Sequence, residues 1–380
     1  MESSEKMKLK HLIALIAIHF IISCNTIEPT AKLKLNNIQV IGSHNSYKKS
    51  IEPALLEIAK QTATKSVEAL QYSHVSLTEQ LNNYGLRNLE IDVVVDTEGG
   101  KFANPFGIEL LKQNEIEAQP YDTLGLLNTK GFKVIHIPDL DFRTTCYRLV
   151  DCLNEIKAWS DAHPRHLPIA ITFNAKTENL EIEGFQELLP FTAKVFNDLE
   201  REILSELPRS KLITPDDVRG DFYTLEEAIK ANNWPELEDA RGKIILVLDE
   251  EGEKRDVYIN GHPSLKGRLF FTNSKPGTPE AAFLIVNDPI RYQDSIKALV
   301  RAGYLVRTRA DADTREARTG DYTRFKAALN SGAHYISTDY YQEDKSLNTN
   351  YEIEMPNGVV GRCNPVLPVK TFLNVDLESK

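Results

Sequence analysis

Two histidines in this chain close short apolar runs, and each stands among other polar groups. Gly42-Ser43-His44-Asn45-Ser46-Tyr47 follows the run Ile38–Ile41, and His136 lies near the end of Phe132–Ile137. Two imidazoles at the ends of different strands suit a displacement that needs a general base and a general acid. A single histidine at a strand end is more often a structural hydrogen-bonder. What tips the reading is a neighbouring pair of carboxylates, Glu90 and Asp92 in Leu89-Glu90-Ile91-Asp92-Val93. Two residues apart in a strand, they point to one face. Carboxylates turned into a protein interior need a compensating cation or bases. With Asn45 alongside, the donor set is all oxygen, which suits Ca²⁺ or Mg²⁺ rather than zinc or copper. The competing reading, a strand with its polar face turned to water, is disfavoured if the sheet is parallel and covered on both sides.

Other apolar runs also end in polar groups. Pro168–Phe173 leads into Asn174-Ala175-Lys176, and Lys243–Leu248 into Asp249. Gly303–Thr308 carries Arg307 and runs on through Arg309-Ala310-Asp311-Ala312-Asp313, and Ala333–Ser337 leads into Thr338-Asp339-Tyr340. Arg307 and Arg309 have the fork geometry that grips a phosphate. Pairing with Asp311, Asp313 or Asp339 fits them equally well. His74, His163, His166, His262 and His334 fall in helices, loops or a strand start, and read as surface or structural groups.

The elements that must hold these groups follow from the spacing. The apolar runs Ile38–Ile41, Leu86–Val95, Phe132–Ile137, Pro168–Phe173, Lys243–Leu248, Arg268–Thr272, Gly303–Thr308 and Ala333–Ser337 make eight expected strands. Helical stretches lie between them at 77–84, 147–162, 289–302 and 322–331. That alternation predicts an α/β fold, a single (β/α)₈ TIM-like barrel, whose catalytic groups project from the C-terminal strand ends. An open doubly wound sheet is the alternative, but no GxGxxG or P-loop follows the first strand. Residues 97–131 and 205–240 read as insertions that shape the site.

Composition is that of an ordinary globular chain, and the length permits two domains or one α/β barrel. The 380 residues are 41% hydrophobic and 26% charged, with a net charge of −10, which leaves no basic footprint for nucleic acid. The N-terminus reads as an address. Lys6, Lys8 and Lys10 precede the apolar run Leu12–Ile22, too short to span a bilayer with ease, and then come Ser23 and Cys24. This is similar to a bacterial lipoprotein signal over residues 1–23, with Cys24 as the lipidated residue and Met7 a plausible true start. The alternative is a plain secretory signal. Residues 24–36 read as a tether, and 37–380 as the barrel. Either signal places the chain outside the cytoplasm, in the cell envelope, where disulfides form. Cys146 and Cys152 are close enough to pair and Cys363 is the odd one; three buried thiols are the alternative.

Taken in order, Gly-Ser-His44-Asn45-Ser-Tyr, Leu-Glu90-Ile-Asp92 and Val-Ile-His136 resemble the X-region of phosphoinositide-specific phospholipase C. Val306-Arg307-Thr308-Arg309-Ala310-Asp311-Ala312-Asp313-Thr314 and Ile336-Ser337-Thr338-Asp339-Tyr340 resemble its bacterial calcium-dependent branch, over roughly residues 37–365. The resemblance implies a phospholipase-C-like phosphodiesterase barrel. It implies cleavage of the glycerol–phosphate bond of phosphatidylinositol to diacylglycerol and a cyclic inositol phosphate. His44 and His136 would be the catalytic imidazoles. Asn45, Glu90, Asp92 and Asn174, with Asp249 in reserve, would hold Ca²⁺ in preference to Mg²⁺. Lys176, Arg307 and Arg309 would bind substrate, and Glu90 or a nearby carboxylate would accept the hydroxyl proton. Two departures stand out. Asn174 occupies the place of a calcium-binding glutamate in eukaryotic relatives, and Leu248-Asp249-Glu250 replaces the lysines that bind ring phosphates there. The first implies weaker calcium binding, the second an unphosphorylated headgroup. A monomer at a membrane surface is expected. Two other functions compete. A glycerophosphodiester phosphodiesterase shares the barrel and histidines, but usually has His-Arg where this chain has His44-Asn45. A non-catalytic lipoprotein that binds a headgroup or glycan has no need of both histidines and both carboxylates.

Overall fold

The computed structural model describes residues 33–367 and 377–378, so the signal, most of the tether and Cys24 lie outside it. Eleven strands appear among the described residues: β1 Ile38–Ser43, β2 Asn88–Val94, β3 Lys133–Val134, β4 Ile169–Ala175, β5 Leu212–Ile213, β6 Ile244–Leu248, β7 Phe270–Thr272, β8 Phe283–Ile285, β9 Leu305–Arg309, β10 Tyr335–Thr338 and β11 Gly361–Cys363. Eight of them run parallel in the order β1-β2-β4-β6-β7-β8-β9-β10, and β10 returns to β1 through Val40↔Tyr335 to Ser43↔Thr338. The seam between β7 and β8 is a single bridge, Asn273↔Phe283, backed by the Asn273 side chain accepting from Ile285 N at 3.1 Å. The result is the expected α/β barrel, with one thin wall.

Strands such as Ile244-Ile-Leu-Val-Leu248 are fully buried because one face meets the barrel interior and the other meets helices. The helix Leu149–Ala162 turns Leu149, Cys152, Leu153, Ile156 and Trp159 into that outer core, the three- and four-residue spacing of one helical face. Gly42 is required by close approach. A Cβ there would stand 2.5 Å from Asn88 Cβ, where β1 and β2 touch at their only registered pair.

Two strand expectations are corrected. Phe132–Ile137 is not a barrel strand. Only Lys133–Val134 is extended, and it pairs antiparallel with the C-terminal end of β2 through Val93↔Val134. The eighth barrel strand is instead β8, three residues within the apolar stretch Ala281–Val286. The insertion at 205–240 is corrected too. Its β5 pairs with the start of β6, and Trp234 Nε1 donates to Gly303 O just ahead of β9. That places it on the N-terminal face, away from the polar rim. Residues 33–36, read as the end of the tether, belong to the fold: Leu35 is buried and its N donates to Pro235 O at 3.0 Å. Cys146 and Cys152 form a disulfide with Cα atoms 5.5 Å apart, while Cys363 is a buried free thiol in β11.

Candidate active site

The C-terminal ends of the barrel strands carry the polar cluster, and β1 delivers His44 to it. His44 N donates to Thr338 O at 3.0 Å, which keeps the residue in step with β10. Asn45 then takes a left-handed backbone, φ 46°, a conformation asparagine tolerates better than most residues. Lys48 N closes the turn onto Asn45 O at 2.9 Å.

His44 is held from both ring nitrogens. Nδ1 lies 2.7 Å from Asp339 Oδ1, and Arg309 Nη1 donates to Nε2 at 3.2 Å. Because Arg309 only donates, Nε2 carries a lone pair and the ring proton sits on Nδ1, facing Asp339; this tautomer is assigned from the partners. Arg309 Nη2 also donates to Asp339 Oδ2 at 2.7 Å. Burial works against ionisation of Asp339, yet Arg309 and His44 outweigh it and hold its carboxyl far below the usual range. Asp311 behind it accepts from Asp339 N at 2.9 Å, and burial, then the neighbouring Asp339 charge, pushes its carboxyl up to about 7. His74 lies beneath, its Nε2 2.8 Å from His44 O, and burial lowers it to about 4. A neutral, structural His74 matches the expectation.

His136 arrives by another route. It follows β3, whose antiparallel pairing with the end of β2 lifts this excursion onto the same rim. Its Nδ1 lies 2.7 Å from Asp141 Oδ2, so the site contains two His–Asp pairs.

Between them, Glu90 and Asp92 point inward from β2 as expected, 3% and 1% exposed. Asn174 Nδ2 donates to Glu90 Oε1 at 3.0 Å and to Asp92 Oδ1 at 2.9 Å. Lys176 Nζ stands 3.4 Å from Asp92, and Arg307 Nη2 is hydrogen-bonded to Glu90. Burial opposes the Asp92 charge, but Lys176, His136 and the Asn174 amide overcome it and lower its carboxyl. Asp92 in turn raises Lys176. At the end of β6, burial pushes Asp249 up to about 7 against the nearby Arg307, with Glu90 adding to the rise.

Residues 33–365 match the family described as Ca²⁺-dependent phosphoinositide phospholipase C. The chain belongs to that family. The fold is similar to two solved phospholipases C. One is the calcium-dependent phosphoinositol-specific enzyme of the Gram-negative bacterium Pseudomonas sp. (TM-score 0.52, 18% identity, 87% of this chain and 96% of that one). The other is the Ca²⁺-dependent phosphatidylinositol-specific enzyme of Streptomyces antibioticus (TM-score 0.50, 16% identity, 81% and 95%). No protein with a curated description matches.

Calcium dependence of the phospholipase C family can be tested against the donors present. Among the described residues no three His, Cys, Asp or Glu side chains gather closely enough to hold a metal, so other oxygen donors, side-chain amides among them, must complete any site. One such amide is in place. One Asn174 atom already sits about 3 Å from both carboxylates, and turning that amide puts an oxygen on the same point. The two carboxylates and that amide make a hard, all-oxygen set, the type Ca²⁺ takes; the other expected amide, Asn45, donates through Nδ2 to the Tyr72 hydroxyl at 2.8 Å. Of the expected site residues, Glu90, Asp92, Asn174, His44 and His136 are brought to one rim. Sequence reasoning left Arg309 between phosphate and carboxylate, and here Arg309 serves Asp339 and His44. It missed Asp141, Lys48, Tyr72 and Asn287, whose Oδ1 accepts from Arg307 Nη1 at 2.8 Å. Only Asp141, five residues beyond His136, left a signal that spacing could have found.

Proposed function

We propose that this chain cleaves the glycerol–phosphate bond of phosphatidylinositol by two-histidine acid–base catalysis with calcium. The observation that carries the reading is the pair of His–Asp couples flanking Glu90 and Asp92. Glu90 is committed to the Arg307 ion pair and the Asn174 amide, whereas His44 Nε2 has only the 3.2 Å bond from Arg309 to exchange, so His44 Nε2 is the better acceptor for the inositol 2-hydroxyl proton. As that proton moves, the 2-oxygen bonds to phosphorus and the bond to the glycerol oxygen breaks. Asp339 then faces an imidazolium and stabilises it. His136, protonated and paired with Asp141, gives its proton to the departing glycerol oxygen, which leaves diacylglycerol and a cyclic inositol phosphate. Opening of the cyclic product by water would run the same two residues in reverse. Asn45, Glu90, Asp92 and Asn174 would hold calcium, with Asp249 at the margin; when bound, the ion supplies positive charge to the phosphoryl oxygens and acidity to the 2-hydroxyl. Lys176 and Arg307, beside those carboxylates, are the groups placed to meet the substrate phosphate.

The same proposal puts the enzyme at the cell envelope as a monomer tethered through lipidated Cys24. An acidic chain gains no general attraction to anionic lipid, so the tether would keep it at the surface. His44→Ala and His136→Ala test the chemistry. Each is expected to lower turnover of phosphatidylinositol vesicles by at least about a thousandfold with an unchanged circular dichroism spectrum. Near-normal activity in either variant would remove that residue from the mechanism.

A further inference from the structure

Lys48 ends the turn that carries His44, yet its ammonium serves the other histidine. The side chain is fully buried, a costly place for a charge unless its protons are met. Nζ donates to Leu70 O at 2.8 Å and to Tyr72 O at 2.9 Å, and lies 4.5 Å above the Tyr72 ring. Its charged neighbour is Asp141 Oδ1, at 3.3 Å. Asp141 is buried as well. Its Oδ2 meets His136 Nδ1, while Oδ1 makes no hydrogen bond within normal geometry among the described residues.

We infer that Lys48 is a positioning residue for His136: its buried ammonium, anchored on two carbonyls, holds Asp141 by one oxygen so that the other faces His136 Nδ1, and Asp141 fixes the His136 tautomer. This rests on the acid–base role proposed for His136. During turnover that imidazole must pass between its charged and neutral forms. While it is charged, Asp141 has a cation at each oxygen. Once it is neutral, Lys48 is the cation left against the carboxylate, and without it nothing among the described residues holds the Oδ1 side of Asp141 in place. An Asp141 that can turn no longer presents a fixed acceptor at Nδ1, and His136 is then free to adopt the opposite tautomer. Lys48 also joins the two halves of the site. The Tyr72 whose carbonyl it grips accepts, through its hydroxyl, a hydrogen bond from Asn45 Nδ2 at 2.8 Å.

A lysine that merely braced two carbonyls would behave differently in a double-mutant cycle. Lys48→Met keeps the length of the side chain and removes its charge. It is expected to lower kcat about a hundredfold with KM within about twofold. Asp141→Asn should cost at least as much. Lys48→Met added to Asp141→Asn should cost no more than about threefold further, because the two act in series. Ring ¹⁵N NMR without substrate supplies a second readout. At a pH where the ring is neutral, His136 should carry its proton on Nδ1 in the native protein and show mixed tautomers in Lys48→Met. If Lys48→Met does not fold, the double variant decides: recovery of folding once both charges are gone supports the coupling, and failure of both makes Lys48 a strut. Multiplying costs in kcat, or an unchanged tautomer, would also overturn the inference. The tautomer result stands even if phosphatidylinositol proves not to be the substrate.

Discussion

Asp339→Asn isolates the support given to His44. The substitution keeps size and shape but removes the charge 2.7 Å from Nδ1. With the imidazolium and carboxylate charge centres about 4 Å apart and an effective dielectric near 20, their attraction is about 4 kcal/mol. Arg309 is common to both proteins and cancels in the difference, but the imidazolium charge is only partly developed in the transition state, which leaves roughly 3 kcal/mol to lose. That corresponds to a fall in kcat of about 10². The fold should persist, because Arg309 keeps Asp311 at 3.8 Å and Asp311 ionises more readily once Asp339 is neutral. The assay is initial-rate release of water-soluble inositol phosphate from phosphatidylinositol vesicles at saturating calcium, with kcat and KM resolved. A fall in kcat under about fivefold, or an effect confined to KM, would refute the view that Asp339 acts by stabilising charged His44.

Two further predictions concern metal and pH. Asp92→Asn should weaken calcium binding by about tenfold or more by titration calorimetry, and Asn174→Asp should strengthen it; unchanged affinity in both would remove these residues from the metal site. Burial lowers His74, His166 and His334 to about 4, so each contributes stability above pH 6.5 that is lost as pH falls toward 4. Asp249 and Asp311, raised to about 7, and Glu250, raised to about 6, act in the opposite sense and gain as pH falls through the same window. Urea midpoints should therefore differ little between pH 7 and 5. His334→Gln, lacking one of the losing groups, should gain about 2 kcal/mol relative to the native protein on going from pH 7 to 5. An identical difference at both pH values would contradict the assignment.

The residues that sit on regular strands were legible in the sequence. Glu90 and Asp92 share a face because a strand alternates, and Asn174 lies opposite Asp92 in the β2–β4 register. Strand identity failed where runs were short. The apolar stretch around Val134 looks like a strand, but its register partner is the end of β2 and its direction is reversed, while β8 is too brief to stand out by periodicity. His136 nevertheless reaches the rim, since the antiparallel β3 ends beside the C-terminal end of β2. The supporting groups were hidden for another reason. Asp339 and Lys48 act on partners 295 and 93 residues away, and only the closed barrel brings those distances to a few ångströms. Arg309 shows the limit of chemical type alone, because a guanidinium suits phosphate and carboxylate equally and only the fold chooses.

The central claim is tested most directly by incubating the purified protein with phosphatidylinositol vesicles and resolving the soluble products by ³¹P NMR, with calcium and with a chelator. The account predicts a cyclic inositol phosphate that forms with calcium and stops with the chelator. Turnover of deacylated glycerophosphodiesters alone, or no turnover in either condition, would contradict it.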